Sequence, residues 1–159
     1  MPMPLKRTLA ATALAAALAG APLVNAHLDS DEPLQSYRQS WFTLLAMNFG
    51  PIADMVKGDI PWDLETLQGW ADDLEDVTEL DLLRGFAPGS EKGTTRAKPA
   101  IWENMDDFEA KLADLREAAA ALDEAAEGGD RAAIAEAVKA TGGACKACHD
   151  EYKSKDYLY

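Results

Sequence analysis

The chain has 159 residues, 28 acidic side chains against 15 basic ones, and a formal net charge of −13 at pH 7. Phosphate backbones and anionic membrane surfaces repel a chain of that charge, which argues against nucleic-acid and lipid-surface roles. What remains is a basic protein partner, or charge that serves only to keep the protein soluble.

Met1 to Ala26 reads as a targeting segment outside the fold. Lys6 and Arg7 give it a positive start, an apolar stretch runs from about Leu9 to Leu18, and Val24-Asn25-Ala26 ends in alanine as a cleavage site does. It is short and Ala-rich for a membrane span. Its expected removal leaves one domain, 27–159, with 13 basic residues against the same 28 acidic ones. Export to a bacterial periplasm follows from such a leader.

Strand signals are nearly absent, and four segments carry helical spacing. The first is expected from about Glu32 to Val56, with Leu34, Tyr37, Trp41, Leu44 and Leu45 as its apolar stripe, and Lys57-Gly58 and Pro61 ending it. Asn48, Gly50 and Pro51 predict a bend or local defect in its second half. The second runs from about Asp63, a plausible N-cap, to Asp81, with Leu64, Leu67, Trp70, Leu74 and Val77 inward. A long connection, Arg84 to Lys98, contains Pro88-Gly89-Ser90 and Gly93-Thr94-Thr95.

The third helix is expected to start near Pro99, where proline suits the first turn. Ile101, Met105, Phe108, Leu112, Leu115, Ala119, Leu122 and Ala126 repeat at spacings of four and three, the seam of a left-handed bundle. Gly128-Gly129 ends it and Asp130 caps the fourth, expected from about Arg131 to Lys155. Short first and last connections around a longer middle one predict an all-α, antiparallel up-down-up-down four-helix bundle.

Cys145, Cys148 and His149 stand at i, i+3 and i+4 and so share one helix face. C-x-x-C-H is the attachment signature of a c-type haem: two thioether bonds to the porphyrin and an axial imidazole on the iron. A disulfide between cysteines three apart on a helix has poor geometry and leaves His149 idle. A thioredoxin-like pair needs a βαβ setting, and structural zinc needs four good ligands where three stand here. One covalent haem c, held by Cys145 and Cys148 with His149 as metal ligand, is the reading. Candidates for a sixth ligand are His27, the lysines and the methionines Met47, Met55 and Met105, the last on the core seam of the third helix.

Three stretches, YRQSWFTLLAMNFGPIADMVKGDIPWD, FAPGSEKGTTRAKPAIW and GGACKACHDEYKSK, resemble in order the first helix, the middle connection and the haem-bearing end of the cytochromes c′. The resemblance spans Tyr37 to Lys153. It implies high-spin, five-coordinate iron with His149 on one face and an apolar residue on the other. The family's distal residue lies four positions after the arginine of the first helix, which makes it Phe42. Low-spin relatives place a ligating methionine in that region. Phe42 cannot ligate, and Met47 lies about 140° further round the helix.

The same resemblance implies that Arg38 and Gln39 contact the haem propionates, that the loop Gly93 to Lys98 passes the haem edge with Thr94 and Thr95 as its candidate contacts, and that Lys153 stands near the proximal pocket. Phe86, Trp102 and Phe108 are candidates for the pocket wall, though core packing accounts for them equally. Family members often form homodimers through the first two helices, and Trp41, Ile52 and Trp70 are candidates for that interface, though the core of a monomer accounts for them equally. The resemblance further implies binding of small diatomic gases, above all nitric oxide. Electron transfer to a redox partner, for which a basic protein would suit the acidic surface, is the companion role, and a low-spin, six-coordinate electron carrier is the alternative. Catalysis is not expected, since there is no second histidine near the haem, no distal acid–base pair and no Ser-His-Asp set.

Overall fold

A computed structural model describes residues 31–158. The expected leader and His27 lie outside the described residues. The elements are helix α1 (Pro33–Lys57), α2 (Leu64–Glu79), a 3₁₀ helix (Leu82–Phe86), a single-turn helix α3 (Ala100–Glu103), α4 (Met105–Gly128) and α5 (Arg131–Tyr152). Helix α1 packs on α2 and α5, and α4 packs on the same two, which closes a ring of four antiparallel helices. Among the described residues the one strand-like pairing is an isolated antiparallel bridge between Ala97 and Lys153.

The helix boundaries follow from local chemistry. Asp63 caps α2 by accepting from the Thr66 amide at 3.3 Å and the Thr66 hydroxyl at 2.8 Å. Asp130 caps α5 through the amides of Ala132 and Ala133, both at 2.9 Å. Gly58 and Gly129 end α1 and α4 with φ of 84° and 71°, left-handed values that a side chain would resist.

Three of these expectations are tested by the fold. The helix expected from Pro99 is broken at Asn104, whose φ of −136° and ψ of 49° separate α3 from α4. The Asn104 side-chain amide donates to the Ala100 carbonyl at 3.0 Å, the same oxygen its backbone amide reaches, and this local alternative interrupts the ladder. Pro51, by contrast, leaves α1 unbroken. Trp41 and Ile52, suggested as dimer contacts, are 2% and 0% exposed inside the single chain and belong to its core.

The core runs the length of the bundle. Ile52, Leu67, Leu74, Leu122 and Ile134 are fully enclosed, each contributing about 1.5–3 kcal/mol by burial. Polar ties cross between helices at carbonyls of their last turns. Gln68 Nε2 donates to the Ala126 carbonyl at 2.9 Å, and Arg116 Nε to that of Thr78 at 2.9 Å. Towards the C-terminal end of α5 the packing opens into a cavity.

Candidate functional site

Cys145, Cys148 and His149 all face this cavity, whose volume is about 750 Å³. That lies within the range of about 300–1,000 Å³ in which cofactors and small ligands are held. Both cysteines are free and half-buried. Burial pushes both thiols up, Cys148 to about 11, so at neutral pH they are thiols, a poor form for binding a metal ion directly. Burial, then the nearby charges of Lys153 and Arg96, push the His149 imidazole down, with Asp150 opposing. The ring is therefore neutral at pH 7, with a nitrogen lone pair free for a metal.

Across the cavity, α1 supplies Phe42. Its ring centroid is 6.5 Å from that of His149, with the planes inclined at 60°. The two rings thus meet edge to face across the cavity, an aromatic side chain of α1 opposite the imidazole of α5. Trp41 stands edge-on behind Phe42, at 5.1 Å and 88°. It is buried, and its Nε1 has no hydrogen-bond partner among the described residues.

Arg38 also borders the cavity but is almost wholly enclosed, at 3% exposure. Its Nη1 donates to the Gly85 carbonyl at 3.0 Å and to Ser90 Oγ at 3.2 Å. Its Nη2 donates to the Ser90 carbonyl at 2.9 Å and to Thr95 Oγ1 at 2.7 Å. The guanidinium lies over the rings of Phe86 at 5.0 Å and Trp102 at 5.7 Å. Burial lowers its pKa, with Glu32 opposing. No carboxylate forms an ion pair with it among the described residues, so the cavity wall holds a cation suited to a ligand that brings its own carboxylates.

The other residues singled out from sequence divide. Gln39 and Thr95 line the cavity, as do Phe86 and Phe108. Thr94 does not. Its amide is held by the Glu32 carboxylate at 2.9 Å, and its carbonyl accepts from Gln39 Nε2 at 2.6 Å. Trp102 lies outside the lining and donates to the Phe86 carbonyl at 2.9 Å. Lys153 borders the cavity. Met47 is 66% exposed, and Met55 is buried elsewhere with its sulfur accepting from the Asp63 amide. None of the described methionines is among the lining residues.

Sequence reasoning missed Phe49, Tyr152 and Tyr157, and singled out the loop of Arg96 without that residue; all four reach the cavity. Phe49 lies seven positions after Phe42, so helical spacing could have found it. Tyr152 is three after His149, and its hydroxyl donates to Asp107 Oδ2 at 2.5 Å. Hydrogen bonding to Asp107, then burial, raises that phenol to about 12, so it stays protonated. Nothing periodic marks Arg96 or Tyr157.

A closed four-helix ring carrying two thiols and a neutral imidazole on one turn of its last helix defines a class, the helical-bundle proteins with covalently bound haem. The family model described as Cytochrome C′ matches residues 34–153, and the chain belongs to the cytochrome c′ family. Cytochrome c′ of Cereibacter sphaeroides is 40% identical over 155 residues, covering 95% of this chain and 99% of that one. The structure of cytochrome c′ from Rubrivivax gelatinosus superposes with a TM-score of 0.72 at 40% identity, covering 77% of this chain and 96% of that one. A nitric oxide complex of a cytochrome c prime variant from Alcaligenes xylosoxidans superposes with a TM-score of 0.72 at 34% identity, covering 79% of this chain and 96% of that one. The cofactor is haem c, bound covalently through Cys145 and Cys148.

Proposed function

We propose that this chain is an exported haem protein that binds small diatomic gases, nitric oxide above all, at a five-coordinate iron, and that it also passes electrons. When bound, the haem supplies an iron centre that accepts a gas molecule and cycles between two oxidation states. His149 would hold that centre through its neutral imidazole, and Phe42, which faces it across the cavity, would cover the iron with a ring that cannot ligate. The observation that carries this reading is the pairing of Phe42 with His149 across the cavity, at 6.5 Å, with none of the described methionines in the lining. Among the described residues two amines border the cavity. Lys146 is paired with Asp150, and Lys153 stands one turn from His149 on the same helix end.

Phe42 makes the site selective. Trp41 braces it from behind, so an incoming molecule must displace an aromatic ring packed against another. Small, strong ligands meet that demand best, which favours nitric oxide over carbon monoxide. The relative solved with nitric oxide bound supports the choice of gas. Arg38, Gln39 and Thr95 form the polar side of the cavity, where the haem carboxylates are best accommodated.

The leader expected at Met1–Ala26 supports a periplasmic location, and among the described residues no helix is long and apolar enough to cross a membrane. A homodimer through α1 and α2 fits the apolar Leu44 and Met47, which are 47% and 66% exposed on α1. Sedimentation of the holoprotein tests it, and a monomer at all concentrations rejects it.

Absorption spectra of the ferric and ferrous protein, with and without carbon monoxide and nitric oxide, test the main reading. The expected result is a high-spin ferrous form that takes up both gases. A low-spin form indifferent to carbon monoxide rejects it in favour of a six-coordinate electron carrier.

A further inference from the structure

The residues after α5 extend past residue 153, where the family match ends, yet they are docked. The Ser154 amide donates to the Arg96 carbonyl at 2.8 Å, and Arg96 Nε donates back to the Ser154 carbonyl at 2.9 Å. Four residues on, the Leu158 amide donates to the Thr95 carbonyl at 3.2 Å. Just before them, the Lys98 amide donates to the Tyr152 carbonyl at 2.9 Å, and Lys98 Nζ reaches the carbonyls of Asp150 and Glu151. The segment is therefore fastened at both ends to Thr95 and Arg96, which border the cavity. The fastening is continuous with α1, because Thr95 Oγ1 accepts from Arg38.

Between the two anchors stands Tyr157. It lines the cavity while 60% of its surface stays exposed, so it sits at the rim rather than in the core. A tyrosine in this place has an apolar body for a cofactor edge and a polar tip for water. We propose that Ser154–Leu158 is a strap forming part of the haem cavity wall, and that Tyr157 contacts the haem edge and shields it from water. The proposal rests on the cavity being the haem site. Its physical consequence is on the potential: an iron porphyrin carries more positive charge when ferric, and a drier surrounding disfavours that form. The strap thus raises the midpoint potential and slows attack by small reagents from solvent.

The test uses the holoprotein and three variants: Tyr157→Ser, Tyr157→Phe and Ser154→Pro. The proline removes the amide that donates to Arg96, and Lys153 before it is already extended, with φ of −109° and ψ of 127°, as a residue before proline requires. Midpoint potentials and rates of haem reduction by a small uncharged reductant are measured, with helix content and haem spectrum checked for each protein. Tyr157→Ser and Ser154→Pro are expected to shift the potential downward and to speed reduction several-fold, while Tyr157→Phe stays with the parent. Unchanged potentials and rates in Tyr157→Ser and Ser154→Pro overturn the strap. A Tyr157→Phe protein that follows Tyr157→Ser also overturns shielding by the ring. Either failure with the parent's high-spin spectrum retained leaves the assignment of the haem site intact, whereas a parent protein without bound haem rejects that assignment, and six-coordinate iron in the parent rejects the gas-binding reading alone.

Discussion

Arg38→Lys separates a clamp on the loop from a simple positive charge beside the haem. Four acceptors spread over residues 85, 90 and 95 receive the two Nη groups of Arg38, and its plane lies on Phe86 and Trp102. A lysine ammonium keeps the charge but donates from a single point, and it cannot span the Gly85 carbonyl and the Thr95 hydroxyl together. At least two of the four bonds are lost. Each is worth about 1.5–3 kcal/mol for a charged donor, and loss of the stacking adds about 0.5–1 kcal/mol. Water entering the loosened loop recovers part of this, which leaves a net cost of about 3 kcal/mol. Urea unfolding of the holoprotein, followed by helical circular dichroism, reads that cost as a lower midpoint at unchanged slope. The haem stays attached in both unfolded chains, so the reference states match. Limited proteolysis is expected to cut faster within 84–98. A loss below about 1 kcal/mol with the loop equally resistant refutes the clamp. If the midpoint potential then shifts instead, Arg38 acts through a haem carboxylate rather than through the loop.

Phe42→Ala is expected to speed carbon monoxide association by at least about tenfold, a barrier reduction of about 1.4 kcal/mol; stopped-flow mixing checks it, and an unchanged rate removes Phe42 from the gas path. Asp130→Ala leaves the amides of Ala132 and Ala133 without their cap and is expected to cost about 1 kcal/mol in urea unfolding, with the haem spectrum unaltered. Glu75 and Asp123 face each other from α2 and α4 among Asp72, Asp76, Glu79 and Glu127, and burial, then these neighbours, raise both above the usual carboxyl range. A raised carboxyl favours the folded state when protonated, so its contribution is present below the unfolded pKa and is lost as pH rises through the folded one. Asp123→Asn is therefore expected to raise the melting temperature at neutral pH, with the gain fading as the pH falls into the carboxylate range. A gain independent of pH speaks against the electrostatic cause.

What the sequence makes legible here is what lies close along the chain. The caps at Asp63 and Asp130 and the stops at Gly58 and Gly129 each act within a few residues, and all four stand where local chemistry puts them. Cys145, Cys148 and His149 are legible for the same reason, since one helical turn fixes their common face. Asn104 is the instructive local failure: the seam from Ile101 to Ala126 keeps its apolar period across the break, so periodicity alone hides a side chain that takes over the Ala100 carbonyl.

The opposite wall of the cavity is assembled from partners about 47–57 residues apart, and there spacing has no purchase. Thr94 and Thr95 are neighbours in an irregular loop, yet one is held outside by Glu32 and the other is 2% exposed beneath Arg38. Family likeness directs Arg38 towards a haem carboxylate, but in this chain both of its Nη groups are already taken by the loop, so at most Nε is left for one. Tyr157 reaches the rim only because Arg96 and Thr95 offer two carbonyls at the right separation. The covalent side of the site is thus written in five consecutive residues, while the side that decides what reaches the iron depends on how the loop and the strap lie against α1.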